Sequence, residues 1–201
     1  MKILLVGGNG TIGKRIAERL KSDHELIIAG RSTGDIKLDM SNGNDIDQLF
    51  QKTGKIDALV ITAGSAPVKP LEELSFGDFQ QGFESKMMGQ INLALKAIPN
   101  IKPGGSITLT SGILSHDPIP YGTVLSTINS AVNGFVIGSY GELLYKGIRI
   151  NAVSPALVED SAEKLSEYFP GHTPVGMKEV VDGYIKSLKS NITGKILNIP
   201  A

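Results

Sequence analysis

Three glycines at fixed spacing are the first residues in this chain that could do chemistry. Gly7-Gly8-Asn9-Gly10-Thr11-Ile12-Gly13 leaves a short apolar run and opens an amphipathic stretch, with the pattern Gly7-x-x-Gly10-x-x-Gly13. Such glycines serve a tight turn, close approach of backbone to a pyrophosphate, and close packing of helix on strand. The helix N-terminus adds free N–H groups and a positive partial charge. A dinucleotide is therefore expected against Gly7, Asn9, Gly10, Thr11, Ile12 and Gly13. Arg31-Ser32 follows the next apolar run, where an acidic residue would grip the ribose hydroxyls of NAD. A guanidinium and a hydroxyl suit a 2′-phosphate instead, so NADP is expected before NAD. The plainer reading of Arg31 is an ordinary surface arginine.

Other chemistry is thinly represented. There is no cysteine, which excludes disulfides, thiolate metal sites and cysteine nucleophiles. His24, His116 and His172 are scattered without metal-ligand spacing, and no metal site is expected. Twenty basic residues balance twenty acidic ones, leaving no global field for nucleic acid or an anionic membrane. No segment approaches the roughly 20 apolar residues that span a bilayer. The N-terminal Lys2–Val6 run is too short for a signal peptide, and a cytoplasmic protein is expected.

The elements that must position these groups alternate along the chain. Ile3 to Val6, Leu26 to Ala29, Ile36 to Leu38, Ala58 to Thr62, Ser106 to Thr110, Arg149 to Val153 and Lys195 to Ile199 read as strands. Thr11 to Lys21, Asp45 to Gln51, Ser75 to Ile98, Thr123 to Tyr145 and Lys178 to Lys189 read as helices, the third opened by a Ser75/Asp78 capping box. This alternation predicts a Rossmann fold of the α/β class, a doubly wound seven-stranded parallel sheet with helices on both faces, as a single domain over residues 1–201. Residues 156–177, punctuated by Pro170, Gly171 and Pro174, have no assigned element and are expected as a substrate lid or a plain surface loop.

With these residues in place, nearly the whole chain resembles the short-chain dehydrogenase/reductase family. Asp39-Met40-Ser41 resembles the family's turn whose aspartate bonds the adenine, and Thr62-Ala63-Gly64 its Asn-Ala-Gly motif. The stretch from Lys146 to Pro155 resembles the run into the nicotinamide-side proline, and Thr193 to Leu197 the last strand. The resemblance implies cofactor contacts at Asp39, Met40, Ala63, Gly64, Pro155 and Val158. It also implies a homodimer or homotetramer through the two long helices, as symmetric assemblies commonly form.

The family's chemistry uses a tyrosine whose phenol, ordinarily near a pKa of about 10, is lowered by a neighbouring lysine and the nicotinamide. A serine and an asparagine complete the set. Asn133-Gly134-Phe135 sets the register, which puts the tyrosine position at Leu125, the lysine at Asn129, the serine at Gly112 and the asparagine at Lys86. None of the four usual groups is in place. Ser111 at a strand end, Tyr121 one turn before Leu125, and Lys86 on the facing helix are the candidate catalytic residues, with His116 on the same loop as Tyr121. Ser111 could equally satisfy backbone groups, and the others could be solvated. Two functions follow: an NADP(H)-dependent oxidoreductase of a small carbonyl or alcohol with a non-standard proton relay, or a dinucleotide-binding sensor or regulatory protein without turnover.

Overall fold

Alternation explains the first strand. In β1 (Lys2–Val6), Ile3 and Leu5 point to one face of the sheet and Leu4 and Val6 to the other, all sealed from water. A strand apolar on both faces belongs inside a parallel sheet with both faces covered. The computed structural model, which describes residues 1–201, places it there. β1 pairs in parallel with β2 (Glu25–Gly30) on one side and β4 (Ile56–Ile61) on the other. With β3 (Ile36–Lys37), β5 (Ile101–Thr110), β6 (Arg149–Pro155) and β7 (Lys195–Ile199), the seven-stranded order is β3-β2-β1-β4-β5-β6-β7. This is the doubly wound parallel sheet that the alternation predicts.

Two helix layers close the core. α2 (Gly43–Thr53), α4 (Gly89–Ala97) and α5 (Thr123–Tyr145) bury Leu49, Leu93, Val132 and Val136 against one face. α1 (Thr11–Leu20) and α7 (Met177–Lys189) bury Ile16, Leu20, Val180 and Leu188 against the other. Crossovers run outward in opposite directions from the β1–β4 pair, so the carboxyl ends of these strands open a crevice. No helix is long and apolar enough to cross a membrane.

Two segments differ from the sequence reading. The helix expected from Ser75 to Ile98 does begin at the capping box, with Ser75 N–H donating to Asp78 Oδ2 at 2.9 Å. It then runs without a gap through α3 (Phe76–Gly82), a π-helical turn (Phe83–Met88) and α4. The unassigned stretch 156–177 carries α6 (Glu159–Leu165) and a 3-10 turn, Ser166–Tyr168. Long-range contacts hold it. Val158 pairs with Val175 in a parallel bridge, and Asp160 accepts from Arg15 Nε at 3.0 Å. A helix this short has too few turns to show an apolar stripe, which is why it was not readable.

Candidate active site

The glycine turn is built so that side chains do not fit. Gly7 has φ +83, and a Cβ on it would lie 2.8 Å from the Ala63 nitrogen. A Cβ on Gly13 would lie 2.1 Å from the Gly7 carbonyl oxygen. Gly10 is the N-cap of α1 and supplies no side-chain cap, and the first turn holds no acidic residue, so its leading N–H groups remain available for an anion. Thr11 is exposed there, and Asn9 Nδ2 donates to Thr33 Oγ1 at 2.9 Å, tying the turn to the loop after β2. This bare, uncapped cradle fits a pyrophosphate.

On one side of the cradle lies a pocket of about 270 Å³ whose walls include Arg31, Asp39, Met40, Ala63 and Gly64. Asp39 Oδ1 accepts from the Ser41 hydroxyl at 2.7 Å and the Ser41 N–H at 2.9 Å. Those two bonds, the hydroxyl first, hold its carboxyl below the usual carboxylate range. Oδ2 takes no protein partner, and an ionised carboxylate can accept from an exocyclic amine there. Arg31 is exposed and forms no ion pair, whereas Ser32 lies outside the pocket wall.

On the other side a pocket of about 240 Å³ shares Ala63 and Gly64 with the first and adds Ile12, Lys86, Ser111 and Pro155. Lys86, on the π-helical turn, reaches across to β5 and α5. Its Nζ donates to Asn129 Oδ1 at 2.7 Å and to the Ser111 carbonyl at 3.2 Å. Burial pushes the amine down to about 8, because the charged form loses water that two neutral oxygens replace only in part. Ser111 is buried and its hydroxyl donates a hydrogen bond to the Asn129 carbonyl at 3.1 Å, so it satisfies a backbone group. Ser111 still lines the pocket.

Tyr121 does not join them. It is half exposed at φ +63, in the third position of a turn closed by Gly122 N–H donating to the Ile119 carbonyl at 3.2 Å. Pro120 in the second position favours that turn, which aims the ring outward. His116 is likewise exposed, with Nδ1 3.2 Å from Ser115 Oγ. Val158 is buried in the core under α6 rather than in the pocket wall. Leu125 and Gly112 do line the pocket, where the family resemblance places a tyrosine and a serine. The residue that sequence reasoning passed over is Asn129. Its signal was the reciprocal exchange of lysine and asparagine between two positions, which become bonded neighbours here.

A family model described as short chain dehydrogenase matches residues 1–167. Hydroxynaphthalene reductase arp2 of Aspergillus fumigatus is 29% identical over 193 residues, covering 84% of this chain and 71% of its own. The crystal structure of the protein lin1944 from Listeria innocua is 40% identical, with TM-score 0.96 and 99% of both chains covered. A small-chain dehydrogenase in complex with NADPH is 28% identical, with TM-score 0.87, and covers 98% of this chain and 95% of its own.

Proposed function

The chain belongs to the short chain dehydrogenase family, and from that premise we propose that it is an NADP(H)-dependent oxidoreductase of a small carbonyl or alcohol, with Lys86 in place of the missing phenol. The observation that carries this reading is a buried amine, pushed down to about 8, set in the pocket that adjoins the glycine cradle. The cradle of Gly7, Gly10 and Gly13 would hold the pyrophosphate, and Asp39 with Met40 the adenine. Arg31 would pair with a 2′-phosphate. The solved relative that binds NADPH supports the same choice. When bound, NADP(H) supplies or takes up the hydride at the carbonyl carbon. Lys86 gives its proton to the carbonyl oxygen as the alcohol forms and recovers one from water. The Ser111 carbonyl and Asn129 Oδ1 fix the amine for that transfer.

A second reading, a dinucleotide sensor without turnover, is favoured by Leu125, which has no exchangeable proton where the family's acid stands. One experiment separates the two. NADPH consumption is followed with a panel of aldehydes, ketones and quinones, for wild type, Lys86→Met and Tyr121→Phe. Turnover that falls about a hundredfold in Lys86→Met and is unchanged in Tyr121→Phe is expected. Tight NADPH binding with no turnover by wild type on any compound sinks the enzyme reading. Absence of binding heat with NADP(H) sinks both.

The outer faces of α4 and α5 would pair two copies into a homodimer, as the family resemblance implies.

A further inference from the structure

An ammonium has no lone pair, so the Asn129 atom that meets Lys86 Nζ at 2.7 Å has to be the amide oxygen. That contact turns the amide nitrogen the other way. It comes to rest against Gly112, where a Cβ would lie only 2.8 Å from Nδ2. Asn129 is 2% exposed, yet Nδ2 makes no hydrogen bond within the protein. The nitrogen is not sealed from solvent, and Asn129 lines the pocket together with Gly112, Lys86 and Leu125. The contact with Lys86 fixes this orientation of the amide, which leaves its N–H available to a group entering the pocket.

We propose that Asn129 Nδ2 donates a hydrogen bond to the oxygen of the carbonyl substrate, sharing that oxygen with the Lys86 ammonium. The proposal rests on the oxidoreductase reading above and assigns Asn129 a catalytic role within it. Lys86 has three N–H groups and gives two to the protein, which leaves one for the same oxygen. Gly112 follows as a requirement, because any side chain there displaces the amide. The substrate class follows too. Lys86 is the one charged residue on the wall, and Ile12, Ile113, Leu114, Leu125 and Phe169 are the large apolar side chains on it. The pocket takes a small, uncharged ketone or aldehyde with apolar substituents.

The test uses the full chain loaded with NADPH and titrated with isobutyramide, a carbonyl compound that hydride does not reduce. Binding is read from NADPH fluorescence and from the Asn129 side-chain amide resonances. Asn129→Asp keeps an oxygen for Lys86 but loses the N–H, and Asn129→Leu keeps only the volume. Isobutyramide Kd is expected to weaken at least tenfold in both, with NADPH affinity unchanged. On any compound that wild type reduces, Asn129→Asp is expected to lower kcat about a hundredfold, the usual loss for one oxyanion donor. Isobutyramide binding at wild-type strength in Asn129→Asp, or no binding to loaded wild type, overturns the proposal alone. Failure of NADPH to bind overturns it together with the oxidoreductase reading.

Discussion

Burial holds the Lys86 amine at about 8 against an ordinary 10.5, so the folded protein binds this proton more weakly than the unfolded chain does. Between those two values the unfolded state carries more protons, and stability rises with pH. Below them the whole penalty applies. Allowing for the water that still reaches the amine from the pocket and for the bonds to Asn129 and Ser111, that penalty is about 2 kcal/mol. Lys86→Met is therefore expected to be more stable than wild type by about 2 kcal/mol at pH 7, with the gap closing towards pH 10. Urea unfolding of both proteins at the two pH values checks it, and a gap independent of pH contradicts the burial argument. At this scale the sequence was half legible. The glycine turn could be read because its spacing alone restricts what fits. Asn129 looked chemically idle because it carries no charge, and its partner sits on a different helix. Tyr121 was misplaced by distance along the chain, since the turn around Pro120 sets its direction.

Lys86 is aimed by its element as much as by its own bonds. Within the π-helical turn Gly89 N–H donates to the Glu84 carbonyl, five residues back instead of four, and such turns recur at functional sites. Gly64, at φ +129 just beyond β4, clamps that turn. A Cβ there would lie 2.8 Å from Lys86 Cγ and 2.9 Å from Lys86 Cα. Gly64→Ala combines a strained backbone with an overpacked contact, each worth about 1–3 kcal/mol. A loss of about 3 kcal/mol in chemical denaturation is expected, together with a displaced Lys86 pKa by NMR. A change below about 0.5 kcal/mol, the range of ordinary surface substitutions, would show that the turn is not clamped. The bounds of α5 were readable in full, because a long apolar stretch runs between two clear stops. The π-helical turn was not. One extra residue in a helical turn leaves the apolar pattern on either side intact, and only the contacts with β4 and α5 reveal it.

For the molecule as a whole, the informative feature is a helix that carries apolar side chains on its outer as well as its inner face. The inner face of α5 buries Val124, Ile128, Val132 and Val136, while Ile137, Leu144 and Tyr145 stand exposed on the outside. Such a helix is ordinarily buried on both sides. Nothing in this chain covers the outer face, although the sheet order and both helix layers are complete. Gly134 and Gly138 lie on that face with open space beyond their Cα atoms, so a second helix can approach closely. Beside them lies a groove of about 230 Å³ between α4 and α5, lined by Leu95 and Phe135. A second copy offers the same surface about a two-fold axis, which matches like with like and closes the assembly. Wild type is therefore expected to sediment at twice the 21.3 kDa chain mass at micromolar concentration. Gly138→Glu would set two like charges across the axis and is expected to sediment as a monomer that still binds NADPH. A wild-type monomer would mean that the outer face of α5 stays in water. The cost of exposing Ile137, Leu144 and Tyr145 would then need a different partner to explain it.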